Sequence, residues 1–241
     1  MINLKYKDFI DSGVHFGHMT KKWNPNMAPF ILMKKNGIHI IDIKKTFLSL
    51  NEVFLVIKFI IRSGRKIMFV ATKKQIKESV EKEAIRLSMP YVTERWLGGM
   101  LTNFSTIRKS LKKMSSVDKI MKEPSYQNLA KREKLMLNRE KHKLEKLLGG
   151  INNLTRLPGA LFIVDINKEH IAVKEARKMG IITFAIVDTN VNPNYVDYPI
   201  PGNDDSFKSV SLIIKSIGSA IEEGLIDRQK DKSKYNKETL N

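Results

Sequence analysis

The chain has 241 residues, no cysteine and a formal net charge of +18, because 43 lysines and arginines stand against 25 acidic residues. Its length suits one large domain, or one domain that carries an insertion. The lack of cysteine excludes disulfides, thiolate metal sites and cysteine catalysis. So large a positive charge favours a polyanionic partner, with nucleic acid as the first candidate and an anionic membrane surface as the second.

The N-terminal sequence MINLKYKDFI lacks the apolar core of a signal peptide. No run in the sequence approaches the roughly 20 apolar residues that a bilayer-spanning helix needs. We therefore expect a cytoplasmic protein that has no membrane partner.

Two hydrophobic periods predict the secondary structure. Helical segments repeat apolar residues every three or four positions, and short apolar runs such as KIMFVA and ALFIVD are typical of buried parallel strands. This alternation predicts an α/β fold, a doubly wound sheet with helices on both faces and sites beyond the carboxyl ends of its strands. In chain order we predict a strand over 38–43, a helix over 44–63, a strand over 66–71, a helix over 73–87 capped by Thr72, a strand over 90–92, a strand over 160–165, a helix over 168–179, a strand over 181–187 and a helix over 206–223.

One long segment, 105–148, interrupts this alternation because it contains no strand pattern. It carries 13 basic and 5 acidic residues, and an excess of eight positive charges is unlike a merely solvated helix face, which usually alternates in sign. Its apolar residues form two narrow helical stripes separated by a turn that contains a proline, which predicts an antiparallel helical hairpin, or coiled coil. We assign 1–104 and 149–226 to an α/β body with an N-terminal extension over 1–35, 105–148 to the inserted hairpin, and 227–241 to a charged, mobile tail.

Two stretches carry the residue types that bind nucleic acid. Lysine and arginine neutralise phosphates, tryptophan stacks on unpaired bases, and asparagine bonds sugar or base edges. Packing of the tryptophan into the body is an equally good interpretation of KKWNPNM. The candidate RNA-binding residues are Lys21, Lys22, Trp23, Asn24, Arg95, Asn103, Arg108, Lys109, Lys112, Lys113, Lys131, Arg132 and Lys134.

The stretch RWLGGMLTNF, residues 95–104, lies between the body and the hairpin. Its glycines allow positive φ or a close backbone approach, and Thr102 or Asn103 could cap the first hairpin helix. We therefore predict a structural joint made by Trp96, Gly98, Gly99, Thr102 and Phe104.

Catalytic signatures are absent from the sequence. It contains no phosphate-binding glycine loop, no dinucleotide fingerprint and no nucleophile elbow. An enzyme acting on RNA or on a phosphorylated metabolite, with Asp165 and Asp188 at strand ends and His15 and His18 nearby, is a rival hypothesis that rests on fold analogy alone. The two histidines and nearby aspartates could also ligate a metal, or be ordinary structural and capping residues.

Four motifs together carry a resemblance to a known family. They are VHFGHMTKKWNPNMAPFI, RWLGGMLTNFSTI, LPGALFIVD and DTNVNPNYVDYPIPGNDD, and their order and spacing resemble the bacterial-type small-subunit ribosomal protein two family over nearly the whole chain. The resemblance implies a flavodoxin-like body with about five parallel strands and an inserted helical hairpin. It also implies that the protein is no enzyme and requires no cofactor.

What the family does is the function that the resemblance implies. The expectation is a structural constituent of the small ribosomal subunit that binds its rRNA between head and body and assembles late. It would contact neighbouring ribosomal proteins and support docking of the large, flexible, mRNA-binding ribosomal protein one, in a cytoplasmic or organellar ribosome and without forming a homo-oligomer. A single divalent ion, zinc or magnesium, would fall on His18, Asp188 and Asp205.

Overall fold

The computed structural model describes residues 4–124, 126 and 129–238, with the backbone alone described over 234–238. Its helices and strands follow the alternation that the sequence predicts, with three strands that the sequence pattern does not indicate. They are α1 (Tyr6–Asp11), β1 (Phe16–Met19), β2 (Ile31–Lys35), β3 (Ile38–Ile41), α2 (Ile43–Arg62), β4 (Ile67–Val70), α3 (Lys77–Arg86), β5 (Tyr91–Val92), α4 (Phe104–Lys122), α5 (Lys131–Leu148), β6 (Ala160–Val164), α6 (His170–Lys178), β7 (Ile182–Val187), β8 (Tyr198–Pro201) and α7 (Phe207–Glu238).

The central sheet has five parallel strands in the order β5-β4-β6-β7-β8. When the five strands are numbered in chain order, this arrangement is 2-1-3-4-5, the flavodoxin-like order. The predicted fold class is therefore confirmed. One aromatic residue from each strand stands in register across the sheet, and the Phe69 and Phe162 rings lie 5.6 Å apart. The row consists of Tyr91, Phe69, Phe162, Phe184 and Tyr198.

Each face of this sheet has its own hydrophobic core. On one face, α2, α3 and α7 cover the aromatic row through fully buried residues such as Leu50, Val80 and Ile217. On the other face, α6 and the base of the helical hairpin pack on Met68 and Ile163. The hairpin is therefore anchored in the core of the domain, in a position that a packing helix would otherwise occupy.

The strand predicted over 38–43 was assigned to the wrong sheet. It forms β3, which lies between β1 and β2 in a separate antiparallel sheet of three strands. Helix α2 follows directly, because Asp42 ends the strand and accepts a hydrogen bond from the Lys44 amide at 2.9 Å. The predicted N-terminal extension thus supplies two of the strands that surround β3.

Two helix ends differ from prediction. Thr72 does not cap α3, which begins at Lys77, because its hydroxyl donates to the carboxylate of Glu169, the residue before α6. Helix α7 does not end at Glu223 but continues to Glu238, so most of the predicted tail is helical backbone. This extension runs along α2, where Lys58 pairs with Asp227 at 3.0 Å and Arg62 pairs with Asp231 at 2.6 Å. The sequence pattern of a charged tail does not reveal these partners, because they lie on another helix. Residues 239–241 of the predicted tail lie outside the described residues.

Helices α4 and α5 form the predicted antiparallel hairpin. Ile107, Leu111, Met114 and Val117 make the buried stripe of α4, as their spacing predicts. Ion pairs between Lys113 and Glu140 and between Lys141 and Asp118 add polar contacts across the pair. Because α4 begins close to where α5 ends, the end of α4 at Lys122 and the start of α5 at Lys131 lie at the far end of the hairpin.

Candidate nucleic-acid interface

The joint at the base of the hairpin is organised by one carboxylate, that of Glu175 on α6. One oxygen accepts from the indole N–H of Trp96 at 3.2 Å and the Gly99 amide at 2.7 Å. The other accepts from the amides of Leu101 and Thr102 at 2.9 and 3.1 Å, and from the Thr102 hydroxyl at 3.2 Å. Burial alone would raise the pKa of Glu175, but the backbone hydrogen bonds outweigh it and hold the pKa below its ordinary value.

Sequence reasoning did not single out Glu175, although a signal was present. In a helix, positions three and four apart share one face, and Glu175 stands three residues after the buried Ala172 and one before the buried Ala176. A charged residue on the apolar face of a helix needs a partner there. The partner is the RWLGGMLTNF loop.

Some of the predicted joint residues are needed for the packing or the backbone conformation of the joint, and others are not. Trp96 is buried and Phe104 packs against the core on the hairpin side of the sheet. Gly99 has a φ of +88°, which is costly for a side chain, whereas Gly98 has neither a positive φ nor an atom close enough to crowd a side chain. Only the second glycine of the pair is therefore required by the backbone.

The predicted cap of the first hairpin helix is wrong in its detail. Asn103 stands at the N-cap position, but its side chain accepts hydrogen bonds from the Ser105 and Thr106 hydroxyls rather than from a backbone amide. The Thr102 hydroxyl donates to Glu175 instead. The first turn of α4 is thus oriented by the loop that Glu175 holds.

Most of the predicted RNA-binding residues of the hairpin are accessible to a phosphate and are not paired with a carboxylate. Their side chains are exposed, and no carboxylate of the described residues lies within ion-pair distance of them. These residues are Arg108, Lys109, Lys112, Lys131 and Arg132. Arg95 and Asn103 are exposed at the hairpin base.

Two predicted RNA-binding lysines are already engaged within the hairpin. Lys113 pairs with Glu140, and the Lys134 ammonium lies 5.6 Å from the centre of the Tyr126 ring. A lysine with an intramolecular partner gains less free energy from binding a phosphate, so these two are weaker candidates than the five residues without such a partner.

The N-terminal candidates lie on the small antiparallel sheet and beside it. Lys21 and Lys22 are exposed. Trp23 is 36 % exposed, with its ring 5.2 Å from that of His39 and 5.9 Å from the Lys34 ammonium. One face of the indole therefore packs on the body, and stacking of its exposed part on an unpaired base stays a prediction.

Asn24 does a local structural task. Its side chain accepts a hydrogen bond from the Asn26 amide at 2.9 Å, and its own amide donates to the Thr189 carbonyl at 2.8 Å. These bonds tie the KKWNPNM segment to the end of β7.

A second polar cluster lies where the parallel strands end, and its centre is a lysine that sequence reasoning missed. The Lys73 ammonium lies 2.9 Å from Asp165 and 2.7 Å from both Asp204 and Asp205. Burial alone would lower the pKa of Lys73, but the surrounding carboxylates raise it above its ordinary value. Burial also raises the pKa of Asp204 to about 7, in spite of the Lys73 charge.

The three predicted metal ligands meet at this cluster. His18 places one ring nitrogen 3.0 Å from Asp188 and the other 3.4 Å from Asp205, and its pKa is raised, chiefly by the hydrogen bond with Asp188. The two carboxylates thus lie against opposite nitrogens of one ring rather than around a common point. Within the described part of the chain, no three acidic or histidine side chains are arranged to hold a metal ion. The residues therefore do not form a ready ligand set, and the divalent ion stays a prediction.

His15 lies apart from this pairing. Its ring is stacked against Phe16, with the ring centres 4.0 Å apart, and burial lowers its pKa. The pair of histidines that the sequence offers as a shared site is thus divided between two environments. Just before α7, the side chain of Asn203, rather than that of Asp204 or Asp205, accepts hydrogen bonds from the amides of Asp205 and Ser206.

Comparisons with known proteins agree with this geometry. The model of the family described as "Ribosomal protein S2" matches residues 9–224. The small ribosomal subunit protein uS2 of Cytophaga hutchinsonii is 62 % identical over 229 residues, which cover 95 % of this chain and 90 % of that protein. The uS2 proteins of Amoebophilus asiaticus and Flavobacterium johnsoniae are 57 % and 55 % identical, over 97 % and 95 % of this chain and 74 % and 90 % of their own lengths.

The flavodoxin-like body with its inserted basic hairpin, together with these matches, defines a ribosomal protein, a structural and non-enzymatic component of the ribosome. The chain belongs to the ribosomal protein S2 family. The rival hypothesis of an α/β enzyme is therefore wrong. No helix among the described residues is both long enough and apolar enough to cross a membrane.

Replacing Glu175 by Gln should loosen the hairpin joint while leaving the sheet folded. Glutamine keeps the shape but loses the charge, and its amide nitrogen turns one acceptor into a donor that faces N–H groups. We expect a loss of about 2–4 kcal/mol in the free energy of unfolding, and faster hydrogen exchange at Gly99, Leu101 and Thr102. Glu78→Gln, at an exposed site in α3, is the matched control. Equal exchange rates in the two variants would contradict the role assigned to Glu175.

The raised pKa of Asp204 predicts a pH dependence of stability. Between about pH 4 and pH 7 the unfolded chain has lost this proton and the folded chain retains it, so the free energy of unfolding falls as pH rises, by at most about 1.4 kcal/mol per pH unit. Urea unfolding of Asp204→Asn should lack this decrease, and the variant should gain stability relative to wild type across that window.

Asp205→Asn is the control for the Asp204 experiment, since Asp205 lies in the same cluster but its hydrogen bond with Lys73 lowers its pKa. Its carboxylate stabilises the fold above its unfolded pKa, and this contribution is lost as pH falls. The two variants should therefore differ in the sign of their pH dependence, and a shared sign would show that Asp204 is not protonated in the fold.

Proposed function

We propose that this protein binds small-subunit rRNA through the exposed cations of its hairpin and hairpin base, between the head and body of the subunit. The hairpin carries the excess of eight positive charges counted above, and five of its exposed cations have no carboxylate of the described residues within ion-pair distance. Such cations keep their full attraction for phosphate, and neutralising phosphates releases counterions from the RNA. The position in the subunit and a late entry into assembly are carried by the family resemblance.

Affinity for rRNA should depend steeply on salt. With about six phosphate contacts, log K should fall with log salt with a slope on the order of −4 to −5. Reversing Lys109, Lys131 and Arg132 to Glu should abolish co-sedimentation with small subunits that lack the native protein. Circular dichroism and the thermal midpoint should stay unchanged, since all three side chains are exposed.

The control for the hairpin variant reverses Lys82, Lys208 and Lys215, which are exposed on α3 and α7, the helices that cover the opposite face of the sheet. It changes the net charge equally and should still co-sediment. A flat salt response of the wild-type protein, or equal losses in the two variants, would show that the hairpin is not the RNA-binding surface.

We propose further that the protein supports docking of the mRNA-binding ribosomal protein one on cytoplasmic ribosomes. Protein neighbours bind through apolar surface, and two groups of exposed apolar side chains among the described residues outside the hairpin are candidates for it. The first lies on and beside the small sheet and consists of Phe16, Met19, Leu32 and Met33; the second is a stripe on α2 made by Leu48, Leu55 and Phe59.

Paired replacements distinguish the two apolar surfaces. One variant changes Leu32 and Met33 to Ser, and the other changes Leu55 and Phe59 to Ser. We expect one of them to lose ribosomal protein one from purified small subunits while the altered protein itself is retained. Full retention of ribosomal protein one by both variants would show that it docks elsewhere.

A further inference from the structure

A small open cleft lies at the base of the hairpin, between α4 and the loop that follows α5. Its volume is about 170 Å³, below the roughly 300–1,000 Å³ of pockets that enclose a small molecule. A cleft of this size suits one unit of a polymer rather than a free cofactor. It differs from the polar cluster around Lys73, with which it shares no lining residue.

One wall of this cleft is cationic. Arg108, Lys112 and Ser115 lie four and then three residues apart, so they share a single face of α4. Both cations are exposed, and within the described residues no carboxylate comes within ion-pair distance of either. The Ser115 hydroxyl donates to the Leu111 carbonyl at 3.2 Å and keeps its acceptor capacity.

The other wall is neutral and polar, and the floor is apolar. Asn152 and Thr155 are exposed and face the cleft from the loop, and neither was singled out by sequence reasoning. Leu111 and Leu154 are both buried to 6 % exposure and form the floor. The neutral wall thus offers the Asn152 amide and the Thr155 hydroxyl, which donate and accept hydrogen bonds without charge.

We propose that this cleft binds one ribose–phosphate unit of an RNA strand. The cationic wall neutralises the phosphate, the apolar floor packs against the ribose ring, and Asn152 and Thr155 bond the 2′-hydroxyl, which distinguishes RNA from DNA. The inference rests on the proposed rRNA binding and adds a defined contact whose neutral half lies outside the hairpin.

The two walls predict different effects on binding to purified small-subunit rRNA. Arg108→Ala with Lys112→Ala should weaken binding about 10- to 100-fold and reduce the magnitude of the salt slope by about 1, since the contact with one phosphate is lost. Asn152→Ala with Thr155→Val should weaken binding about five- to tenfold without changing the slope, because no charge is removed.

A comparison of RNA and DNA fragments of the same sequence tests the 2′-hydroxyl contact. The preference of the wild-type protein for an RNA fragment over DNA of the same sequence should decrease in the Asn152→Ala, Thr155→Val variant. It should persist in the Arg108→Ala, Lys112→Ala variant, whose neutral wall is intact. An unchanged preference in the neutral-wall variant would overturn the assignment of the 2′-hydroxyl to this cleft.

The control is Lys208→Ala with Lys215→Ala, which removes two exposed cations from α7. If wild-type protein does not bind rRNA with a steep salt dependence, the proposed function itself fails. If wild-type protein binds but the cleft variants match the control, rRNA binding stands and the cleft assignment is wrong. The four cleft residues that are substituted are all exposed, so unchanged circular dichroism is expected in every variant.

Discussion

The position of the hairpin depends on one buried carboxylate. A loop that runs from a sheet edge to a projecting helix must bury several backbone N–H groups, each of which costs free energy if it has no acceptor. Glu175 accepts three of them, together with the Trp96 indole and the Thr102 hydroxyl. In return, these donors stabilise the charge of Glu175 within the core. The orientation of the most basic element of the protein is therefore determined by a residue on α6, about 70 residues away in sequence.

The hairpin has a higher density of positive charge than the body, with +8 of the net +18 in residues 105–148. In the body, carboxylates are matched with cations from other elements, as where α2 pairs with α7 and where Lys73 lies among three aspartates. On the hairpin, the described ion pairs involve few of the cations. The remaining +10 is spread over the other 197 residues, so positive charge is densest on the hairpin, where it attracts a polyanion.

Residues whose environment is set by nearby sequence were predictable, and those whose partner is distant were not. The buried strands and the α4 stripe from Ile107 to Val117 follow from periodicity, because burial of an apolar face is a local demand. The strand β8 was missed, since YPIP contains two prolines and belongs to a sheet edge. Thr72 was predicted to be a cap because Thr favours caps, whereas its hydroxyl donates to the carboxylate of Glu169, just before α6. Among the candidate RNA contacts, Lys112 and Lys113 are both exposed, and an ion pair with Glu140 on α5, which sequence spacing does not reveal, engages Lys113 alone.

The sequence by itself determined the α/β alternation, the basic helical hairpin and the family, because each depends on local periodicity, on composition or on long contiguous motifs. The tertiary structure alone decided where β3 pairs, how far α7 continues, and which side chains meet at Glu175, at Lys73 and in the cleft beside α4. The side chains that meet at Glu175, at Lys73 and in the cleft are between about 40 and 130 positions apart, and their geometry exists only once the chain has folded. The sequence therefore identifies the groups that carry charge, and the fold decides which of those charges remain free to bind another molecule.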